Sequence, residues 1–107
     1  MNPIVLITGA TSGIGKACAE KFAASQYHLV ITGRRQDRLL EVQADLQSRY
    51  SVRVLPLCFD VQDKEAVFSN ISQLPAEWQA IDVLINNAGL ALGRDSFEEA
   101  DLQDWET

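Results

Sequence analysis

A run of small and hydroxyl-bearing residues follows the first apolar stretch of the chain, in the order Thr8-Gly9-Ala10-Thr11-Ser12-Gly13-Ile14-Gly15. Glycine permits a positive φ and lets a ligand approach the backbone closely. The start of a helix offers free amide groups and the positive end of its dipole to an anion. Thr11 and Ser12 add hydroxyl donors. The run therefore predicts a loop that binds phosphate groups; a tight strand-to-helix turn without a ligand is the alternative.

Two adjacent arginines follow the second apolar stretch, in Gly33-Arg34-Arg35. In a dinucleotide-binding sheet, the end of the second strand faces the adenosine ribose, where an acidic residue would select NAD through the 2′-hydroxyl. Guanidinium groups suit a 2′-phosphate instead, because they form charge-assisted and often bidentate hydrogen bonds. The pair predicts NADP. Alternatively, Arg34 and Arg35 are merely solvated at a helix start, where positive charge is unfavourable without an anion nearby.

Polar residues also follow the third and fourth apolar stretches, in Asp60-Val61 and Asn86-Asn87. Asp60 can accept a hydrogen bond from the adenine amino group or cap the next helix, and the two roles are compatible. The side chains of Asn86 and Asn87 are expected on opposite sides of the chain. One amide can join neighbouring strands while the other faces the ribose; a plain turn is the alternative.

The elements that position these residues follow from the apolar pattern. Continuous apolar runs predict strands buried on both faces at 3–8, 28–32, 53–57 (or as far as 59) and 81–85. Helical spacing of apolar residues predicts helices over 13–25, 36–50 and 63–74, with a weakly apolar helical pattern from 97 to the end. Asp60 or Asp63 would cap the third helix. Residues 75–78 are predicted to form a short connection or one turn of helix.

Alternating strands and helices predict an α/β fold with a doubly wound parallel sheet of about four strands. A sheet of this kind binds its ligand at the carboxyl ends of the strands. The 107 residues suffice for one domain at most, or for part of one. The net charge of −6 argues against a general nucleic-acid partner. No apolar run approaches the ~18 residues of a membrane span, so no membrane partner is expected.

The cysteines and the single histidine predict no metal site. Cys18 and Cys58 stand far apart in the sequence, and His28 is the only histidine. Zinc sites need clustered ligands. We expect both cysteines to be buried free thiols in a reducing cytoplasm.

Taken together, Thr8 to Gly15, Asp60-Val61 and Asn86-Asn87-Ala88-Gly89 resemble the motifs of the short-chain dehydrogenase/reductase family, and they stand in that family's order. The resemblance spans nearly the whole chain. It implies a Rossmann-type fold and hydride transfer between a nicotinamide cofactor and a carbonyl or alcohol. Arg34-Arg35 resembles the NADP-preferring branch, although Ser12 stands where many of its members have a basic residue.

A narrower resemblance is to NADP-dependent 3-hydroxy acid dehydrogenases, which act on serine, allo-threonine and related 3-hydroxy acids. Residues 33–39, 74–93 and 104–107 carry it. It implies a 3-hydroxy acid or related carbonyl compound as substrate, and a homo-oligomer, with tetramers common among relatives. By position, it implies four sets of cofactor contacts. The pyrophosphate would be held by Gly9, Ala10, Thr11, Ser12, Gly13 and Ile14, and the 2′-phosphate by Arg34 and Arg35. Asp60 and Val61 would contact the adenine, and Asn87 would contact a ribose. Asn86 would be a structural amide.

The proton-transfer residues of the family are not found in the chain. They are a Tyr-x-x-x-Lys pair with an upstream serine, whereas Tyr27 and Tyr50 are followed four residues later by Ile31 and Val54. We therefore expect residues 1–107 to be the N-terminal, cofactor-binding portion of a single Rossmann-fold domain, truncated at the C-terminus and inactive alone. One alternative is a complete, non-catalytic nucleotide-binding or regulatory module. Another is an extended-branch sugar-nucleotide epimerase, although that branch typically spaces its first glycines more closely.

Overall fold

The computed structural model describes residues 2–87. Four strands and three helices alternate along this part of the chain, as predicted: β1 (Ile4–Thr8), α1 (Gly13–Ala24), β2 (His28–Gly33), α2 (Gln36–Arg49), β3 (Val54–Cys58), α3 (Lys64–Ser72) and β4 (Val83–Asn86), with a 3₁₀ turn at Ala76–Trp78 before β4. Most predicted ends agree to within one residue. The helical pattern predicted from 97 lies outside the described residues.

The four strands form one parallel sheet in the order β3-β2-β1-β4. Leu6 of β1 is in register with Val30 of β2 on one side and with Leu84 of β4 on the other. The strand order therefore reverses direction at β1. In a doubly wound sheet, the crevice at such a reversal is the place where ligands bind.

Helices cover both faces of this sheet, which confirms the doubly wound fold. Alternate strand residues point to opposite faces. Val5 and Ile7 pack with Leu39 and Leu46 of α2 on one face. On the other face, Leu6 packs with a second set of residues from α3, the 3₁₀ turn and the neighbouring strands: Val30, Val67, Trp78 and Leu84. All five residues of β1 are buried, in agreement with the continuous apolar run that predicted this strand.

At the amino ends of the strands, His28 fixes the start of β3. Its Nδ1 accepts a hydrogen bond from the backbone N–H of Arg53 at 3.0 Å. Partial burial and the nearby Arg53 charge lower the pKa of His28. The imidazole is therefore kept in the neutral form that this hydrogen bond requires, and His28 serves the fold at the end of the sheet opposite the predicted ligand site.

The prediction of two buried thiols is wrong for Cys58. Both cysteines are free, but Cys58 is exposed and Cys18 is partly buried. Cys58 is the last residue of β3, a strand at the border of the described sheet, so its side chain has sheet on one side only. No helix within residues 2–87 is long and apolar enough to cross a membrane.

Candidate functional site

The glycine-rich loop makes a sharp turn between β1 and α1. Gly9 has a φ of 65°, a conformation that residues with a Cβ rarely adopt. Its carbonyl accepts hydrogen bonds from the backbone N–H of Ser12 at 3.2 Å and from the Ser12 hydroxyl at 3.0 Å. Ser12 Oγ in turn accepts from the N–H of Gly15 at 3.1 Å and caps α1. The loop is therefore preformed, and its amides gather at the start of a helix.

Asn87 ties this loop to the end of β4. Its Nδ2 donates to the carbonyl of Gly9 at 3.1 Å and to Ser12 Oγ at 2.8 Å. A Cβ on Gly15 would lie only 2.1 Å from the carbonyl oxygen of Gly9 and 2.9 Å from Asn87 Nδ2. Only glycine at position 15 therefore allows this close approach of α1, the loop and Asn87.

Asn86 makes a separate bond across the sheet. Thr8, its register partner on β1, donates from Oγ1 to Asn86 Oδ1 at 3.2 Å. Both asparagines thus bond within the protein at the carboxyl ends of the strands. The contact of Asn87 with a ribose stays a prediction.

A cleft of about 290 Å³ opens beside the loop, where β1, β2 and β3 end. Its lining brings together five residues that the sequence predicts as cofactor contacts: Gly9, Thr11, Arg34, Asp60 and Val61. Thr32, Gly33, Phe59 and Gln62 complete the lining. The carboxyl edge of the sheet therefore joins the loop, one of the two arginines and the Asp60-Val61 pair in a single cavity.

The other predicted contacts lie outside this lining. Ala10 is fully buried, and its N–H donates to the carbonyl of Thr32 at 3.1 Å. Ile14 is 73% exposed. Arg35 directly precedes α2 and places its Nε 4.0 Å from Asp37 Oδ1. A Cβ on Gly13 would meet no atom of residues 2–87 within 4 Å, so this part of the chain leaves the space beside the first turn of α1 open.

The arginine pair stands at a helix start that lacks a side-chain cap. Arg35 precedes Gln36, the first residue of α2, without making a capping hydrogen bond. Within residues 2–87, no carboxylate forms an ion pair with Arg34. Its guanidinium and the uncapped first turn of α2 therefore form a positive region at the edge of the cleft.

Asp60 and Asp63 have different tasks. Asp63 is the N-cap of α3, since its Oδ1 accepts from the N–H groups of Glu65 and Ala66 at 3.1 and 3.2 Å. Asp60 lines the cleft and accepts from the N–H of Gln62 at 2.9 Å. Of the two candidates, Asp63 is thus the helix cap. Asp60 keeps its second carboxylate oxygen for another donor.

The model of the short chain dehydrogenase family matches residues 3–107. The chain belongs to this family. The membership that the sequence motifs predict is thereby confirmed.

Two curated relatives in this family are similar to the chain in sequence. Sulfoacetaldehyde reductase 2 of Chromohalobacter salexigens is 48% identical over the whole chain, which spans 42% of that protein. The NADP-dependent 3-hydroxy acid dehydrogenase of Escherichia coli is 42% identical over 97% of the chain, which spans 40% of that protein. The chain thus spans about two fifths of the length of these relatives.

A solved structure in this family shares the fold. The crystal structure of L-sorbose reductase from Gluconobacter frateurii, complexed with NADPH and L-sorbose, matches with a TM-score of 0.77 and 39% identity. The match covers 82% of this chain and 34% of the reductase. At this level of identity, the likeness supports a common arrangement of the glycine-rich loop and the sheet.

The residues of this chain fit a dinucleotide in two respects that packing alone does not require. The first is the open space at Gly13, where a Cβ would meet no atom of residues 2–87 within 4 Å. The second is Thr32, a cleft residue that sequence reasoning missed. Its Oγ1 is buried and has no hydrogen-bond partner within residues 2–87, which costs roughly 1–3 kcal/mol. The only sequence signal for Thr32 is a hydroxyl at the end of an otherwise apolar strand.

Proposed function

We propose that this chain is the NADP-binding part of an oxidoreductase that transfers hydride between NADP(H) and a 3-hydroxy acid or a related alcohol or carbonyl compound. The observation that carries the proposal is the single cleft in which the glycine-rich loop meets Arg34 and Asp60. The names of similar proteins support it, since one is an NADP-dependent 3-hydroxy acid dehydrogenase and another was crystallised with NADPH.

Each part of the cofactor has a proposed partner in the chain. The backbone amides and hydroxyls of residues 9–14 would hold the pyrophosphate, because a helix N-terminus favours negative charge. Arg34 and Arg35 would hold the 2′-phosphate. Asp60 would accept from the adenine amino group beside Val61, and Asn87 would face a ribose. When bound, the nicotinamide supplies or accepts the hydride.

The proposal assigns proton transfer to residues that this chain does not contain. A tyrosine needs a nearby cation to act as an acid or base at neutral pH, because its ordinary pKa is about 10. Tyr27 instead packs edge-on against Phe22, with ring centroids 4.8 Å apart. Tyr50 does have a cation beside it, since its hydroxyl accepts a hydrogen bond from Arg49 at 3.0 Å, but it follows the last residue of α2 and lies away from the cleft. Neither lines the cleft, so we expect the 107 residues to bind cofactor without oxidising a 3-hydroxy acid.

The family resemblance extends the proposal to the whole protein. We infer a cytoplasmic homo-oligomer, a tetramer, that acts on a small molecule and has neither nucleic acid nor membrane as partner. We choose the 3-hydroxy acid on the resemblance of residues 33–39 and 74–93 to the 3-hydroxy acid enzymes. The overall identity is higher with the sulfoacetaldehyde reductase, at 48% against 42%, so a sulfonated aldehyde is the second candidate substrate.

Substitution of Arg34 by Asp tests the cofactor. Losing a charge-assisted contact and placing a carboxylate beside the 2′-phosphate should weaken NADPH binding by at least roughly tenfold, or about 1.4 kcal/mol. Binding of NADH, which lacks this phosphate, should be unchanged or tighter. Titrations followed by nicotinamide fluorescence or by calorimetry would measure both affinities.

The control is Arg38→Asp, the same charge change at an exposed position of α2 that does not line the cleft. It should alter the NADPH affinity much less than Arg34→Asp does. Equal affinity for NADPH and NADH, unaltered by Arg34→Asp, would remove the proposed cofactor preference. Measurable 3-hydroxy acid oxidation by the 107 residues would contradict the proposed division of roles.

A further inference from the structure

Two threonines occupy equivalent places at the ends of the two central strands. Thr8 ends β1, Thr32 is the penultimate residue of β2, and both side chains are buried. Thr8 Oγ1 donates to Asn86 Oδ1. Thr32 Oγ1 has no hydrogen-bond partner within residues 2–87. The same side chain is thus satisfied by the protein in one strand but not in the other.

The lack of a partner for Thr32 is confined to its hydroxyl. The carbonyl of Thr32 accepts from the N–H of Ala10 at 3.1 Å, and the carbonyl of the next residue, Gly33, accepts from the N–H of Phe59 at 2.9 Å. The backbone around the hydroxyl is therefore held in place on both sides. Because nearly all buried polar groups in folded proteins are hydrogen-bonded, an unpaired hydroxyl in such a rigid setting indicates a partner supplied from elsewhere.

The cleft is a source from which that partner can come, because Thr32 is one of its lining residues. Thr32 lines it together with Gly9, Thr11 and Asp60. Thr32 also shares its sheet face with Val30, two residues earlier, which packs with Val61 beneath the cleft. Thr32 therefore lies in the wall of the part of the cleft bordered by Arg34 and Asp60, and its hydroxyl is buried there.

We propose that the Thr32 hydroxyl binds the adenosine half of the dinucleotide and is a determinant of cofactor affinity. The proposal rests on the proposed function, because it adds a contact to the same site. The hydroxyl is closed to bulk water in this structure, so the contact forms by rotation about the Cα–Cβ bond or by a small opening of the cleft wall as the nucleotide enters. Satisfying a buried hydroxyl favours this change.

The substitution Thr32→Val tests the contact, because valine keeps the shape and the β-branch while removing the hydroxyl. We expect binding of NADPH to weaken by roughly tenfold, or about 1.4 kcal/mol. Adenosine 2′,5′-bisphosphate, which contains the adenosine half alone, should lose the same factor. Thr32→Ser keeps the hydroxyl and should bind both nucleotides nearly as tightly as the unsubstituted chain.

Melting temperatures measured without nucleotide show whether the Thr32 hydroxyl is unpaired or stabilises the fold through a hydrogen bond. Removing an unpaired buried hydroxyl should leave the melting temperature of Thr32→Val unchanged or raised. The matched control Thr8→Val removes a hydroxyl that is bonded to Asn86, and its melting temperature should fall. Thr32→Ala, which also lacks the hydroxyl, should reproduce the loss of binding.

Three results would overturn the proposal. Thr32→Val could bind both nucleotides as tightly as the unsubstituted chain, it could lose affinity for NADPH but not for the bisphosphate, or it could be destabilised as Thr8→Val is. Each of these would leave the proposed function intact. If the unsubstituted chain binds neither nucleotide, the proposed function itself fails and this inference falls with it.

Discussion

Two glycines only two positions apart in the loop have different physical reasons to be glycine. At Gly15 a Cβ would collide with the backbone carbonyl of Gly9, whereas at Gly13 a Cβ would meet no atom of residues 2–87 within 4 Å. Gly15 is therefore required by the packing of the protein. Within residues 2–87 nothing makes such a requirement of Gly13, and the proposed function explains this glycine by a pyrophosphate that needs the space.

Substituting these two glycines by alanine should affect different properties: Gly15→Ala the stability and Gly13→Ala the binding of NADPH. Gly15→Ala should cost at least about 1–3 kcal/mol of unfolding free energy, because a backbone atom cannot move aside as a flexible side chain would. Gly13→Ala should leave the stability unchanged or raise it by up to about 1 kcal/mol, because alanine restricts the unfolded chain and favours the helix. Urea unfolding would measure both changes.

Nucleotide binding completes this test. Gly13→Ala should weaken NADPH binding although the protein is as stable as before, because the added methyl group occupies the space in front of the helix amides. If Gly13→Ala binds NADPH normally, the pyrophosphate does not approach this helix end. A Gly15→Ala protein of undiminished stability would contradict the close contact between α1 and the loop.

Sequence reasoning at the residue scale identifies the candidate residues but not always their tasks. The side chains of Asp60 and Asp63 are chemically identical, and either could cap α3. The backbone path decides that Asp63 does so and that Asp60 lines the cleft. Thr32 was missed because a missing hydrogen bond depends on three-dimensional neighbours, and no spacing in the sequence encodes them.

At the scale of elements, the fold was predictable because the strands bury both faces. A continuous apolar run such as residues 3–8, followed by a helical pattern, is typical of a parallel strand covered by helices on either side. The last strand was less well placed, since Ile81 and Asp82 were included but β4 begins at Val83. Asp82 still contacts β1: its backbone N–H donates to the carbonyl of Ile4 at 2.9 Å, while its Oδ2, and not a backbone carbonyl, accepts from the N–H of Ile4 at 2.9 Å.

In the connection between β3 and α3, Asp60 and Asp63 are predicted to serve binding and stability separately. Asp63→Ala removes the cap of α3 and should cost about 0.5–2 kcal/mol of unfolding free energy. Its NADPH affinity should stay near that of the unsubstituted chain, because Asp63 does not line the cleft. Asp60→Ala is the matched control with the opposite pattern, a clear loss of NADPH affinity with a smaller loss of stability.

Urea unfolding and fluorescence titration of the two aspartate variants would measure these patterns. If Asp63→Ala lost NADPH affinity as strongly as Asp60→Ala, the cap and the binding residue would not be separable. The connection would then act as one unit. If Asp60→Ala bound NADPH normally, the adenine contact would be wrong.

At the scale of the whole molecule, the cleft exists only because the strands come together. Gly9 follows β1, Gly33 ends β2 and Phe59 follows β3, so the three sets of contacts lie up to about half the chain apart in sequence. In an unfolded chain these groups do not meet. A ligand that needs all three therefore binds the folded state and stabilises it.

NADPH should consequently raise the free energy of unfolding of the whole sheet, by an amount set by the affinity of the folded chain for NADPH. At a free concentration of one hundred times its dissociation constant, the expected gain is about 2.7 kcal/mol. Urea unfolding followed by circular dichroism, with and without NADPH, measures this gain. Arg34→Asp is the control, and at the same NADPH concentration its gain should fall in line with its weaker affinity. A ligand that binds only the folded sheet must raise the stability of that sheet. If NADPH binds tightly but leaves the urea midpoint unchanged, the nucleotide is bound without the assembled cleft.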